Sequence, residues 1–280
     1  MRNIKAYKIV ASDLDGTLLD KNQTVSRENL RAIAEMRRRG IEFVPTTGRS
    51  LGEMPFELLE SDDIRYIITS DGSAIWDKAS GAMTNTNYLT RDKVRFILDV
   101  KNSFNTYPLV HEGGNTHFDK TRHTKRILDE CRVGEGYRYV VDRRAVGQDD
   151  YDGYLLSSDE VEMFCLFFDN DEDLERARRI FEVDGGLSVA QSSPTNLEIY
   201  MPAAGKGNAL SSLANTLGAD ISEVIAVGDS TNDSSLVGVA GLGLAMSNAC
   251  DELKGIADET ICSNDEHCAK YILENYIALE

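Results

Sequence analysis

What is scarce in this 280-residue chain already excludes several classes of protein. It has five cysteines, an odd number, and no Cys-x-x-Cys pair, so the sequence predicts neither a disulfide framework nor a zinc ribbon. No apolar run approaches the length of a bilayer span, and the first eight residues lack the apolar core of a signal peptide. Internal repeats and low-complexity segments are also missing. We therefore expect a cytoplasmic protein with reduced thiols and no membrane partner.

Positive charge is in deficit as well. Lysine and arginine number 30 against 47 acidic residues, which gives a formal net charge of −17. Such a field disfavours nucleic acid and anionic membranes as partners. A small anionic ligand would then need a local positive site, made by a metal ion, a lysine or helix N-termini. The 41% of hydrophobic residues can form a core, and the length suits two compact units.

The first and last parts of the chain alternate strand and helix patterns. Residues 8–12, with the apolar run Ile9-Val10-Ala11, are typical of a buried strand, and Ser26 is placed to cap a helix that ends at Gly40. Residues 224–227 form another buried strand, and residues 268–276 a last helix. Strands that alternate with helices predict an α/β fold with a doubly wound parallel sheet.

The middle of the chain has a different pattern. Helical stretches alternate with strands there, and Gly113-Gly114 separates two short strands as in a hairpin. This α+β pattern predicts a second domain inserted into the first. The expected division is a discontinuous core of residues 1–84 and 201–280 and an insertion of residues 85–200.

The most informative motif is Asp13-Leu14-Asp15-Gly16-Thr17, directly after the first apolar run. Alternation along an extended chain would send Asp13 and Asp15 to the same side. At the end of a parallel strand, that side faces the crevice where open α/β sheets bind ligands. An Asp-x-Asp pair alone is weak evidence, because surface turns often contain one. The motif gains weight from its partners further along the chain.

Three further elements follow a strand or begin a helix. They are Thr46-Thr47-Gly48-Arg49, Gly205-Lys206-Gly207 and Gly228-Asp229-Ser230-Thr231-Asn232-Asp233. The hydroxyl of Thr47 and nearby backbone N–H groups could hold a phosphate oxygen. Lys206 supplies a point charge for an anion. The third element brings two more carboxylates and an amide to a strand end.

Clustered carboxylates suggest a cation. Strand ends converge in a doubly wound sheet, so the acidic side chains of these elements would surround one place and repel one another. Mg²⁺ would neutralise them, since it takes oxygen ligands, keeps some of its waters and pairs with phosphate. Histidine and cysteine are absent from all four elements, which argues against zinc. We therefore predict Mg²⁺ as the cofactor.

In this order, the four motifs resemble those of the haloacid dehalogenase superfamily. The long insertion resembles the substrate-covering cap of its Cof-type sugar-phosphatase branch, and Ala245-Met246-Ser247-Asn248-Ala249 resembles the same branch. The resemblance covers nearly the whole chain, with the cap matching by length and pattern only. It implies a Rossmann-like core with an inserted α+β cap that sets substrate specificity.

The resemblance also implies roles for the residues that match. Asp13 would be the nucleophile that forms an aspartyl-phosphate, and Asp15 would protonate the leaving group and then activate water. Thr47, Gly48 and Lys206 would hold the transferred oxygens. The remaining implied roles are metal binding, for Asp13, Asp15 and Asp229, and support of the site, for Asn232, Asp233 and Arg49. The Arg49 side chain could equally pair with a carboxylate.

Three positions depart from the family pattern. Asp71-Gly72 stands where the branch usually has Asn-Gly, Leu236 replaces a methionine, and His267 stands where glycine is common. Asp71 could alter a turn contact near the site, but we expect none of the three positions to touch a residue with an implied chemical role. The reaction class implied by the four motifs is therefore unaffected.

The expected function is that of a Mg²⁺-dependent phosphatase of small phosphorylated metabolites, sugar phosphates above all. Two alternatives stay open. One is a phosphosugar mutase, whose cap cleft could use the basic cluster Arg122-His123-Thr124-Lys125-Arg126. The other is a catalytically silent protein that binds a phosphorylated metabolite. We expect a monomer or a small homo-oligomer.

We interpret the histidines and tyrosines of the insertion as structural residues. His111, His117 and His123 recur every six residues, a spacing that fits neither one helix face nor the usual zinc pattern. We interpret them as surface residues of a strand hairpin, one of which could face the substrate. Tyr137 and Tyr139 are expected in the core of the insertion.

Overall fold

The structure, a computed structural model, describes residues 6–277. Its strands and helices, numbered along the chain, are as follows. The strands are β1 (Ile9–Ser12), β2 (Glu42–Pro45), β3 (Tyr66–Thr69), β4 (Ala74–Asp77), β5 (Ala82–Thr84), β6 (Thr106–Glu112), β7 (Asn115–Asp119), β8 (Val146–Gln148), β9 (Val161–Phe168), β10 (Ser188–Ala190), β11 (Asn196–Tyr200), β12 (Val224–Gly228), β13 (Leu242–Ala245) and β14 (Glu259–Thr260). The helices are α1 (Arg27–Arg38), α2 (Phe56–Leu59), α3 (Arg91–Lys101), α4 (Lys125–Glu130), α5 (Glu135–Arg144), α6 (Tyr151–Ser157), α7 (Asp171–Arg179), α8 (Lys206–Thr216), α9 (Ser234–Val239), α10 (Asp251–Ile256) and α11 (Cys268–Tyr276).

The chain divides into two compact units. Unit 1 comprises the described parts of Met1–Gly48, Met54–Asn85 and Gly205–Glu280, and unit 2 comprises Arg49–Glu53 and Thr86–Ala204. The sequence prediction placed residues 49–53 with the core, whereas in the structure they belong to unit 2. The reason is local hydrogen bonding. The Gly52 N–H donates to the Gly114 carbonyl at 2.8 Å, and the Ser50 and Thr116 hydroxyls lie 2.9 Å apart.

Unit 1 is built on a five-stranded parallel sheet with the order β14-β13-β12-β1-β2. All four residues of β1 are buried, as its continuous apolar sequence predicts for a strand covered on both faces. Ala209 and Leu213 of α8 pack against β1 and β12 in one apolar cluster. From β1 the chain adds β2 on one side of the sheet and later β12, β13 and β14 on the other. The order of the strands therefore reverses between β1 and β12, and ligands are expected at the carboxyl ends of these two strands. The predicted doubly wound α/β class is confirmed.

A small antiparallel sheet, β3-β4-β5, continues unit 1. It is joined to the parallel sheet through a single parallel bridge between Thr46 and Ile68. The turn between β3 and β4 contains two consecutive residues with left-handed backbone, Ser70 at φ 49° and Asp71 at φ 50°. This turn lies beside the functional site described below.

Unit 2 contains a six-stranded sheet with the order β10-β11-β9-β6-β7-β8. Its strand pairs are antiparallel except β7 with β8. Phe164 and Phe168 of β9 belong to one apolar cluster, and Phe167 belongs to another. Because successive side chains of a strand point to opposite faces, both faces of this sheet are covered.

Several expectations for unit 2 were wrong. His111 and His117 are buried rather than on the surface, and His123 follows β7 instead of lying on the hairpin. His123 contacts the Tyr107 hydroxyl at 2.8 Å through Nδ1. Tyr139 is 61% exposed, and its ring lies 3.8 Å from the Arg143 guanidinium instead of in the core. The exposed face of α5 explains this, since that helix buries only Val141.

In residues 6–277 we find no helix with the length and hydropathy needed to cross a membrane.

Candidate active site

A buried lysine joins two of the predicted acidic residues. Lys206 is the first residue of α8, and it is 1% exposed. Its ammonium donates to Asp13 Oδ1 at 2.8 Å and to Asp233 Oδ1 at 2.6 Å. Burial alone would lower the pKa of Lys206, but the charges of Asp13 and Asp233 outweigh burial and hold that pKa well above its usual range. The lysine therefore stays protonated.

Asp229 lies against the turn that follows Asp13. The Thr17 hydroxyl donates to Asp229 Oδ1 at 3.3 Å. Gly16 has φ +79°, and a Cβ at this position would stand 2.3 Å from Asp229 Oδ2. Only glycine allows the backbone of this turn to approach the carboxylate so closely.

The buried carboxyl groups of this site destabilise one another's ionised forms. Burial and the charge of Asp233 raise the pKa of Asp13 well above its usual range, although Lys206 acts in the opposite direction. The same two causes, burial first, raise the pKa of Asp229 to about 7. A cation bound here would relieve this repulsion.

The residues fit a hard divalent cation. Within the described part of the chain, one group of side chains could hold a metal ion, and it consists of Asp13, Asp229 and Asp233, with one oxygen of each within 4.8 Å of the others. Carboxylate oxygens are the ligands that Mg²⁺ prefers. Both oxygens of Asp233 are already engaged, one by Lys206 and the other by the N–H groups of Asp229 and Ser230. Asp233 therefore fixes the loop after β12.

Thr47 and Gly48 lie in unit 1 beside the turn between β3 and β4. The Thr47 N–H donates to the Ile68 carbonyl at 2.9 Å, and the Thr47 carbonyl accepts from the Asp71 N–H at 3.1 Å. The Asp71 carboxylate faces Gly48, with Oδ1 at 3.2 Å from where a Cβ on Gly48 would stand. The turn thus supports the segment that was predicted to hold a phosphate.

The same turn also contacts the start of α8. A Cβ on Gly72 would lie 2.4 Å from the carbonyl oxygen of Gly205 and 2.9 Å from the backbone nitrogen of Lys206. The expectation that Asp71-Gly72 touches no residue with an implied chemical role was therefore wrong, because Asp71 bonds to Thr47 and Gly72 packs against Lys206. Gly72 has φ +87°, which favours glycine, but nothing in the sequence indicates that this turn meets Gly205.

Three other predicted residues belong neither to the Lys206 hydrogen bonds nor to the acidic group described above. Asp15 is exposed, on an irregular turn, and its charge raises the pKa of Asp13 as a minor cause. β1 ends at Ser12, so Asp13 and Asp15 follow the strand instead of alternating within it. Asn232 accepts from the Ser230 hydroxyl at 2.7 Å. Arg49 belongs to unit 2, where it donates to the Glu53 carbonyl at 3.4 Å.

One residue of the Ala245–Ala249 motif also contacts the site. The Asn248 amide donates to the Gly16 carbonyl at 2.8 Å, and the Asn248 side-chain oxygen accepts from the Asn264 N–H at 3.0 Å. Sequence reasoning used this motif only for the family resemblance. Asn248 holds the turn that carries Gly16 against Asp229.

Fold and site together define a class of enzyme. A doubly wound parallel sheet brings carboxylates and a buried lysine to its topological switch point, where a phosphoryl group can be bound and attacked. The model of the haloacid dehalogenase-like hydrolase family matches residues 10–273, and the chain belongs to this family. It is a phosphoric monoester hydrolase of the Cof type.

Individual relatives agree with this classification. Phosphatase YwpJ of Bacillus subtilis (strain 168) is 31% identical, over 96% of this chain and 100% of the relative. A second protein of that organism, 5-amino-6-(5-phospho-D-ribitylamino)uracil phosphatase YcsE, is 31% identical over 92% of this chain and 91% of its own length. Among solved structures, a haloacid dehalogenase-like hydrolase from B. subtilis superposes with a TM-score of 0.83 at 28% identity, covering 96% of this chain and 99% of that one.

Proposed function

We propose that the protein hydrolyses small phosphorylated metabolites, in particular sugar phosphates, with Mg²⁺ and through an aspartyl-phosphate on Asp13. The observation that carries this proposal is the bond from the buried Lys206 ammonium to Asp13 Oδ1, beside Asp229. A relative named for a phosphoribityl compound supports the substrate class.

The nucleophile in this mechanism is a carboxylate oxygen of Asp13. Lys206 engages Oδ1 and so fixes the plane of the carboxylate, which leaves Oδ2 to attack phosphorus. Attack requires the ionised carboxylate, and the ammonium favours that form against the effect of burial. Lys206 thus orients the nucleophile and neutralises charge on the transferred group.

Proton transfer is assigned to Asp15. Its side chain is exposed, whereas Asp13 is 5% exposed, so the two carboxylates of one motif have different environments. An exposed carboxyl group can give a proton to the leaving alkoxide and then take one from the attacking water. Thr47 and Gly48 would hold the oxygens of the phosphoryl group in this scheme.

The metal would be held by the carboxylates of Asp13 and Asp229 together with the backbone carbonyl of Asp15. When bound, Mg²⁺ supplies positive charge that attracts the phosphate and offsets the mutual repulsion of the carboxylates. Asp233 and Asn232 hold the loop that carries Asp229.

We place the reaction in the cytoplasm, because all five cysteines are free, as expected in a reducing compartment. The protein acts in this proposal as a monomer or small homo-oligomer.

The two alternatives find less support. A mutase needs free positive charge for a second phosphate, but the basic cluster of unit 2 is paired within that unit. Lys125 pairs with Asp129 at 2.5 Å and Arg126 with Glu130 at 3.8 Å. A protein that only binds a phosphorylated metabolite would not need Lys206 to hold both Asp13 and Asp233. Both of these hydrogen bonds are present.

The test is release of inorganic phosphate from sugar phosphates and from p-nitrophenyl phosphate, with Mg²⁺ and with EDTA. We expect turnover by the wild type with Mg²⁺ only, and no turnover by Asp13→Asn. Asp62→Asn, the same change at an exposed position of unit 1, should match the wild type. Undiminished turnover by a folded Asp13→Asn protein would contradict the mechanism.

A further inference from the structure

Asp71 is a buried acid whose carboxylate has no hydrogen-bond partner. The residue is 1% exposed, and neither Oδ1 nor Oδ2 accepts a hydrogen bond from the described residues. A buried carboxylate without donors is costly, because it has lost its water without replacement. Such a group persists where a ligand supplies the missing donor or where the surrounding structure holds it in place.

The backbone around Asp71 is also strained. Ser70 and Asp71 both have left-handed backbone, at φ 49° and φ 50°, which is unfavourable for serine and better tolerated by aspartate. The turn is held by bonds from the Asp71 N–H to the Thr47 carbonyl, at 3.1 Å, and from the Ser73 N–H to the Ser70 carbonyl, at 3.0 Å. Strain held in this way is typical of functional sites.

The location of Asp71 indicates which ligand it would meet. Its carboxylate faces Gly48, next to the proposed phosphate-holding Thr47. The adjacent Gly72 touches the backbone of Gly205 and Lys206, and the charge of Asp71 contributes to the raised pKa of the Lys206 ammonium. The turn of Asp71 and Gly72 therefore contacts both segments that would hold the phosphoryl group.

A carboxylate in this place repels phosphate oxygens, so its partner must be another part of the substrate. A hydroxyl group is the simplest donor that leaves the charge of the site unchanged. Because Asp71 adjoins the phosphate-holding segment, that hydroxyl must be close to the phosphoester. The carbon next to the one that bears the phosphate is the nearest position available.

We propose that Asp71 is a specificity-determining residue that accepts a hydrogen bond from a substrate hydroxyl on the carbon adjacent to the phosphorylated one. The preferred substrates are then vicinal hydroxyalkyl phosphates, such as phosphorylated polyols. This inference rests on the proposed phosphatase function and narrows its substrate class.

The experiment compares sn-glycerol 3-phosphate with 1,3-propanediol monophosphate, which differs by the loss of that one hydroxyl. The measured quantity is the ratio of the two kcat/KM values in each protein. Changes in folded fraction, and changes in chemistry common to both substrates, cancel in this ratio. We expect the wild type to prefer glycerol phosphate by about tenfold or more, because the analogue leaves the buried carboxylate unpaired.

Three variants complete the test. Asp71→Gly removes the carboxylate and suits the left-handed backbone, so it should bring the ratio to about one. Asp71→Asn keeps the shape and a neutral acceptor, so its ratio should fall between those of Asp71→Gly and the wild type. Ser73→Ala removes another buried, unpartnered hydroxyl of the same turn and should leave the ratio at the wild-type value.

The outcomes separate the two proposals. A wild type that hydrolyses both compounds with equal kcat/KM, or Asp71 variants that keep the wild-type ratio, would overturn the role of Asp71 alone. A ratio that changes in Ser73→Ala but not in Asp71→Gly would also overturn it. If the wild type releases phosphate from neither compound nor from p-nitrophenyl phosphate, the phosphatase proposal itself fails.

Discussion

Gly16 and Asp229 are packed so closely that a single added carbon on Gly16 would stand 2.3 Å from the Asp229 carboxylate. These residues come from the first and the last of the four sequence motifs. Their contact fixes the distance between the loop after β1, which carries Asp13, and the loop after β12. The geometry of the proposed metal site therefore depends on a glycine that has no functional group.

The variant Gly16→Ala tests this dependence. We expect at least about a hundredfold loss of kcat and a large rise in the Mg²⁺ concentration needed for activity, because the new methyl group displaces Asp229. Phosphate release over a Mg²⁺ titration measures both effects.

Gly40→Ala is the matched control for Gly16→Ala. Gly40 has a similar φ of +74°, but a Cβ there would meet nothing within 4 Å. This control should lose about 1 kcal/mol of stability from backbone strain alone and keep its activity. Equal activity of the two variants would show that the contact with Asp229 does not matter.

The raised pKa of Asp229 predicts how pH affects the metal-free protein. The folded state keeps a proton on Asp229 up to a pKa of about 7, whereas the unfolded chain releases it near the usual 3.8. The folded state therefore binds more protons in this range, and Asp229 makes the free energy of unfolding fall as pH rises from about 4 to about 7. Urea unfolding in EDTA should show a flatter or rising pH profile for Asp229→Asn than for the wild type.

Magnesium should reverse this effect. Mg²⁺ binds the ionised carboxylates, so the rise in melting temperature on adding it should be larger at about pH 8 than at about pH 5. At a hundredfold excess over its dissociation constant, the stabilisation should reach about 2.7 kcal/mol. An equal rise at both pH values, or an equal rise in Asp229→Asn, would argue for binding elsewhere.

His267 offers a stability test outside the site. It precedes α11 with φ 64° and makes no side-chain capping bond, and the family resemblance predicts glycine there. His267→Gly should raise the free energy of unfolding by about 1 kcal/mol, because it relieves left-handed strain. His267→Ala keeps the strain and should not gain. Chemical denaturation of the three proteins distinguishes these cases, and a gain in both variants would point to the imidazole instead of the backbone.

Local sequence signals predicted the core elements well. Ser26 was expected to cap a helix, and its side chain accepts from the Asn29 N–H at the start of α1. The strands of unit 1 are short apolar runs that end at polar motifs, so their positions could be inferred from the sequence. Helices α4 to α6 of unit 2 were not predicted, because they bury few residues and so have little apolar periodicity; α4 buries only Leu128 and α5 only Val141.

The site was predictable as far as it depends on motifs at strand ends. The structure brings Asp13, Asp229, Asp233 and Lys206 together, and their chemical roles remain predictions. The position of Asp71 was not predictable. Asp71 is buried because Gly48 and Gly205, which are far apart in the sequence, both approach its turn. An aspartate followed by glycine usually predicts an ordinary surface turn.

The chain passes between the two units at four junctions, after Gly48, Glu53, Asn85 and Ala204. An engineer who exchanged only residues 86–204 for those of a relative would therefore leave Ser50 and Glu53 without the Thr116 hydroxyl that they contact at 2.9 Å and 2.7 Å. Unit 2 of this protein has two pieces, and the smaller one is five residues long and begins directly after Gly48.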